Sequence, residues 1–318
     1  MCRGNPERFL MCVVAGEISV TRDHVELATA RAGEILGEMA LFGEQARSAT
    51  VTARRPAVLL RLDDDGYDAL RRADNRVAYV IERLALEQLV ARGRHSDGHI
   101  AQLSPGKPSP YPTSAPEPQP SLMDRLWGLF TPKPKKRVGL PRTGRPVHID
   151  RAAALSTSLL FDGADPDHLQ AIAADTVALE VGKGQFVYHQ NDPGDRWYLI
   201  VEGTAELFMR AASHGTDQIH DLAVVGPGEA FGLTSLVDGR PRLASCVTRD
   251  RCVVLAMTSS TWHRTVSSNA PAASTLRRAV LRALVQHLAT ATTALVELER
   301  QEISRPEPPT PAATERAG

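Results

Sequence analysis

Glu38 and Arg47, nine residues apart, are the side chains in this chain best suited to chemistry. They lie in Leu36-Gly37-Glu38-Met39-Ala40-Leu41-Phe42-Gly43-Glu44-Gln45-Ala46-Arg47-Ser48-Ala49-Thr50-Val51, a compact unit of glycine turn, short apolar helical turn and lone arginine. Gly37 lets the backbone turn where a side chain would clash. The amides of Glu38, Met39 and Ala40 then open a helix and are expected to face an anion. Arg47 supplies a planar, permanently charged fork to phosphate oxygens. A glutamate beside a phosphate makes sense where it accepts from a sugar hydroxyl. Together these groups describe a site for a ribose cyclic phosphate.

Gly37-Glu38-Met39-Ala40-Leu41 followed by Arg47-Ser48-Ala49-Thr50 resembles the phosphate-binding cassette of the cyclic-nucleotide-binding domain family, which includes the catabolite activator protein and protein kinase A regulatory subunits. The resemblance implies that Glu38 contacts the ribose 2′-OH and Arg47 the cyclic phosphate. It also implies that Ser48 sits near phosphate or base and that the Met39 and Ala40 amides cap the phosphate. The ligand implied is cAMP or cGMP, without a metal.

The unit recurs. Arg31-Ala32-Gly33-Glu34-Ile35-Leu36-Gly37 parallels Gly226-Pro227-Gly228-Glu229-Ala230-Phe231-Gly232, and Arg47-Ser48-Ala49 parallels Arg242-Leu243-Ala244. Upstream, the stretch 4–17 parallels 191–204, each a polar turn with proline, an apolar strand and Val-x-Gly. Two copies of a strand-rich unit follow. The second departs at one position: Leu233 stands where the first has Glu38, and leucine cannot accept from a ribose hydroxyl. Gly232, Thr234, Ser235, Arg242 and Ala244 therefore outline a second pocket whose sugar reader is lost. Arg242 there is expected to serve an anion, to meet a carboxylate such as Glu229, or to point to water.

Short strands broken by Gly, Pro and Asp turns, as over 185–190, 196–201, 204–210 and 219–225, predict a mainly β fold with flanking helices. Its expected form is two β-rolls of jelly-roll type, each followed by a long helix. The second copy opens with a helix after Asp165-Pro166 and two strands, near 177–181 and 185–188. The first copy lacks these pieces. The reading is a first domain over 1–93 that is N-terminally incomplete, either eroded or truncated. An open roll would expose strand edges and half its core, which favours truncation of a longer protein. A proline-rich linker over 94–147, a full second domain over 148–303 and a disordered tail over 304–318 complete the division.

After the first roll, residues 65–92 are read as a helix with an apolar stripe of Val77, Val80, Ile81, Leu84 and Leu89. After the second, Leu281, Leu284, Leu288, Ala291, Leu295 and Leu298 alternate at three and four, which predicts a parallel homodimer through 272–301, with packing on its own roll as the alternative. Residues 104–146 hold 11 of the chain's 22 prolines and eight Lys/Arg against two acids, which excludes a packed domain and predicts a tether. Within it, Met123–Phe130 beside the basic cluster ending at Arg137 could touch an anionic membrane.

The remaining composition is plain. Charges balance at 37 basic and 37 acidic in 318 residues, so no overall field points to nucleic acid or membrane. Four cysteines without metal spacing suit reduced thiols, with Cys12 and Cys246 as small core residues. No apolar run or signal peptide points to a membrane, so a cytoplasmic location is expected. His95 and His99 flank a Ser96-Asp97-Gly98 turn, and Asp63 to Asp65 read as a helix cap rather than a metal site. No enzyme signature and no helix-turn-helix appears, so neither catalysis nor DNA binding is expected. A cyclic-nucleotide sensor leads. A silent scaffold, or the sensory portion of a larger transporter or enzyme, stays open.

Overall fold

The computed structural model describes residues 2–43, 46–73, 76–104, 106–111, 144–213, 216–268 and 270–303. The possible membrane contact at 123–137, most of the expected tether and the expected tail at 304–318 lie outside the described residues.

The first repeat runs through β1 (Phe9–Ala15), β2 (Ile18–Arg22), β3 (Val25–Ala30), β4 (Ile35–Leu36), helix α1 (Glu38–Gly43), β5 (Thr50–Ala53) and β6 (Val58–Asp63). Its strands form two three-stranded antiparallel sheets, ordered β4-β1-β6 and β3-β2-β5. Helices α2 (Asp64–Arg72) and α3 (Arg76–Leu103) follow. Asp63 caps α2 by accepting from the Gly66 amide at 2.9 Å, as its position before the helix predicts. Short strands β7 (Lys107–Pro108) and β8 (Arg145–Pro146) flank the segment between repeats.

The second repeat begins with α4 (Arg151–Ser156), a 3-10 turn at Leu159–Phe161 and α5 (Pro166–Ala174). Asp165 caps α5 and Pro166 fills its first turn, where a missing N–H costs nothing. Strands β9 (Val177–Val181), β10 (Phe186–Tyr188), β11 (Arg196–Glu202), β12 (Ala205–Ser213), β13 (Thr216–Val225) and β14 (Ala230–Phe231) lead to helix α6 (Leu233–Asp238). Then come β15 (Ser245–Thr248), β16 (Cys252–Thr258), α7 (Ser259–Val266) and the long α8 (Pro271–Ile303). Its two sheets have five strands each, β10-β15-β12-β13-β7 and β14-β11-β16-β9-β8. The hairpin β12–β13 makes this repeat eight residues longer than the first between Gly16 and Gly37, equivalent to Gly203 and Gly232. From there a constant 195 residues separate equivalent positions, such as Gly37 from Gly232 and Arg47 from Arg242.

The equivalence shows where the two rolls differ. β16 is paired on both sides, with β11 and β9, whereas among the described residues β6 is paired with β1 alone. Likewise β15 lies between β12 and β10, whereas β5 has β2 alone among the described residues. Among the described residues, both sheets of the first roll thus lack a neighbour on the same side.

Three expectations need correction. α3 continues to Leu103 rather than stopping near 92, so the supposed linker start and the Ser96-Asp97-Gly98 turn are helical. Ser96 and Asp97 are buried beside α8, and that packing overrides their weak helix preference. The buried face of α3 is Ala78, Glu82, Ala85, Leu86, Leu89 and Val90, leaving Val77 and Val80 exposed. Finally, the apolar face of α8 is covered within its own chain. Leu281, Leu284 and Leu288 share one core with Leu86, Leu89 and Val90 of α3, and Ile100 meets Ala291 and Leu295. By length and hydropathy α8 would pass for a membrane-crossing helix, the result of that same buried face.

The helices α3 and α8 run parallel, and equivalent residues meet between them. Glu82 and Arg277 occupy the same position in the two repeats and form a buried ion pair, with the Tyr67 hydroxyl donating to Glu82 at 2.8 Å. The chain is thus paired with itself about an approximate two-fold axis. Each long helix reaches the opposite roll. Arg22 and Asp23 of the first roll bond Thr293 and Arg300 of α8, while Arg94 of α3 bonds Asp238 in the second.

The four cysteines are free. Cys246 is a small core residue as expected, while Cys12 is half-buried. Burial pushes the Cys246 thiol up and that of Cys252 up to about 11, so neither is reactive near neutral pH.

Candidate nucleotide pocket and its counterpart

Gly37 adopts φ +92°, and a Cβ there would lie 2.5 Å from both Arg47 Nη1 and the Phe9 carbonyl. Only glycine lets the guanidinium lie under the turn. Gly37, Glu38, Met39, Ala40, Arg47 and Ser48 all line one cavity of about 330 Å³. Glu38 is 2% and Arg47 3% exposed. Arg47 donates from Nη2 to the Phe9 carbonyl at 2.6 Å and from Nη1 to Gly37 O at 3.4 Å, and stacks over the Phe9 ring at 4.1 Å. Its Nε is buried without a partner among the described residues. Burial pushes the Arg47 pKa down, partly countered by Glu38. Ser48 donates to the Met39 sulfur at 3.4 Å. Of the three amides expected to face an anion, that of Ala40 turns to Gly37 O at 3.1 Å.

Four groups absent from the sequence-based site close this cavity. Arg92 of α3 forms an ion pair with Glu38 and donates to Ile35 O at 3.1 Å. His95 of α3 and Leu288 and Thr292 of α8 complete the wall. The first repeat's pocket is therefore walled partly by the second repeat's helix. Two arginines and one carboxylate converge on it, a net positive balance suited to a singly charged phosphodiester.

Gly232, Thr234, Ser235, Arg242 and Ala244 likewise line one cavity, of about 90 Å³. Gly232 has φ +75°, and a Cβ would approach Arg242 Nη1 to 2.7 Å. Arg242 repeats the posture of Arg47. It donates to Gly232 O at 2.8 Å and Arg196 O at 2.5 Å and stacks over Tyr188 at 4.2 Å. The carboxylate it meets is Asp195, 3.8 Å from Nη2, rather than Glu229, which accepts from the Gly226 amide, and it is buried from bulk water. Leu233, at the position of Glu38, is buried in the cavity wall.

The groups facing Leu233 differ too. His287 of α8 stands at the position of Arg92 and bonds Asp97 of α3 at 3.0 Å. Arg94 of α3 forks onto Asp238 at 2.6 and 3.0 Å and reaches Ser235 Oγ and Pro241 O at 3.2 Å. The 195-residue spacing, extended past the cassettes into the helices, points to Arg92 and His287 as a matched pair. It gives no hint that α3 and α8 would exchange rolls.

The family model described as cyclic nucleotide-binding domain matches residues 1–74 and 178–269. A "CRP-like cAMP-activated global transcriptional regulator" of Mycobacterium tuberculosis is 30% identical over 94 residues, 30% of this chain and 41% of the relative. The "Cyclic AMP receptor protein" of Thermus thermophilus is 33% identical over 100 residues, 31% of this chain and 45% of the relative. The chain thus spans less than half the length of these relatives. Among solved structures, the regulatory domain of Toxoplasma gondii PKA with cAMP covers 83% of this chain and 76% of its own at 17% identity and TM-score 0.33. With two matches that together span just over half its length, the chain belongs to the cyclic nucleotide-binding domain family.

Proposed function

We propose that this chain is a cyclic-nucleotide-responsive regulatory module with one sensing pocket, in the first repeat. The supporting observation is that Glu38 and Arg47, both buried, face one cavity of about 330 Å³, within the range of about 300–1,000 Å³ usual for small-molecule sites. The counterpart behind Leu233 holds about 90 Å³ at its cassette, and the wider cleft of about 420 Å³ that adjoins it along α8 and β13 is lined by neither Arg242 nor the cassette helix. In this reading the cyclic phosphate is held by Arg47 and the Met39 amide, and the ribose 2′-OH by Glu38, whose ion pair with Arg92 fixes the carboxylate. The base lies toward His95, Ser96, Leu288 and Thr292, and those contacts choose between cAMP and cGMP. Ligand acts by population shift, tightening the first roll on α3 and α8 and changing how the two rolls are held. Because α3 covers the face of α8 on which a homodimer would rest, that dimer is not part of this reading.

Calorimetry with cAMP and cGMP on the full chain tests it. One site per chain is expected, lost in Arg47→Lys, which keeps the charge but not the fork. No heat and no thermal stabilisation at millimolar ligand would leave a silent scaffold as the better description.

A further inference from the structure

Two charged groups of α3, a helix of the first repeat, stand at the second pocket. Arg94 forks onto Asp238 and reaches Ser235 and Pro241, gripping α6 and the loop after it. Asp97, buried, accepts from His287 Nε2. The equivalent positions on α8 are the uncharged Ala289 and Thr292. The carboxylate that the second cassette lacks at Leu233 is supplied from across the helix pair.

We propose that the second pocket holds α3 as its built-in occupant, and that Asp97 and His287 form a proton-operated latch setting how well the first pocket binds cyclic nucleotide. This rests on the reading of the first pocket as the nucleotide site. The helix is the mechanical link: Arg92, on Glu38 at one pocket, and Asp97, on His287 at the other, lie about 7.5 Å apart along α3. Closing the latch fixes the wall formed by Arg92, His95 and Ser96 before ligand arrives.

His287 is open to protons, with 34% of its side chain exposed. The charged or titratable groups lining its cavities are Asp97 from α3, Arg242 from the loop after α6 and Tyr188 from β10. Asp221 and Glu229 face it from β13 and the turn beyond, and Glu297 from α8. Lys107 engages Asp221, and Glu229 caps its own turn, which leaves Asp97 as the carboxylate in contact. Burial opposes the charged imidazole, but Asp97 outweighs it and the His287 pKa is raised above 6.5. A raised folded pKa means that the latch is fully closed below the ordinary histidine range and opens as pH climbs through the raised value.

Hydrogen exchange of α3 amides in the unliganded full chain at pH 6 and pH 8, corrected for intrinsic rates, reads the latch directly. Protection around 90–100 is expected to fall at pH 8, and this pH dependence to vanish in Asp97→Asn and His287→Gln. Calorimetry with cAMP and cGMP under the same conditions should show binding about fivefold tighter at pH 6, a difference that both variants abolish. Identical pH dependence in native chain and His287→Gln overturns the latch. Calorimetric silence at both pH values, with exchange still governed by His287, supports the latch and overturns the nucleotide reading instead. Should the variants fail to fold, the His287 titration followed by NMR in the native chain decides. Saturating nucleotide must move its midpoint, by reciprocity of the coupling, and an unmoved midpoint overturns the proposal.

Discussion

Strands β6 and β16 are equivalent, yet Val58 and Leu60 are 58% and 64% exposed while Val253 and Leu255 are 3% and 1% exposed. The residue types are alike and the register against β1 and β11 is the same, with Leu60 opposite Cys12 and Leu255 opposite Leu199. What differs is β9 and the helices before it, which cover β16 and have no counterpart on β6 among the described residues. Burial of a strand is decided by its neighbours. The pockets invert this lesson: the first roll, poorer in strands, keeps about 330 Å³ open at its cassette, while at the cassette of the better-packed second roll Leu233 and the clamp from α3 leave about 90 Å³.

The widest expected gap is in stability. Leu255→Ala should cost about 2–5 kcal/mol, because it empties a packed core site. Leu60→Ala should stay within about 0.5 kcal/mol, as exposed positions do. Urea midpoints measure both, and equal losses would mean that β6 is covered in solution.

Ligand affinity gives the next contrast. Glu38→Leu copies the second pocket into the first and should weaken cyclic-nucleotide binding by roughly 1–3 kcal/mol, tenfold to over a hundredfold. The reverse change, Leu233→Glu, should add no second site, since Arg94 and Asp97 of α3 still hold the cassette and its facing helix. A stoichiometry of two in that variant would break the contrast.

A smaller effect is expected at the open edge. Leu60→Lys should leave the urea midpoint nearly unchanged and reduce concentration-dependent light scattering, because a charge blunts pairing between exposed edges. Scattering that stays the same would show that β6 is not the sticky edge.

Much of the first pocket was legible because its signals are local. A glycine forced to positive φ, an acid after it and an arginine at fixed spacing lie within a dozen residues. The internal repeat made Leu233 stand out as a departure. Arg92, Asp97 and Thr292 were not legible, because their role depends on α3 and α8 lying side by side and crossing to opposite rolls. The heptad pattern on α8 marked the face to be covered without saying by what. Ser96-Asp97-Gly98 read as a turn on intrinsic preference, and only burial against α8 makes it helix.

The ion pair of Glu82 with Arg277 bears on which helices recognise each other. On a two-fold axis between identical helices, a residue meets its own copy. Two α8 helices so aligned would bring Arg277 against Arg277, and two α3 helices Glu82 against Glu82, each a buried like-charge contact. Leaving a buried charge without its partner costs about 3–5 kcal/mol. Opposite signs at one position thus favour the hetero-pair over either self-pair, a device also seen where a polar core residue fixes partner choice in coiled coils. A charge change at this one position of a repeated helix is enough to turn a homotypic interface into one that only unlike helices satisfy.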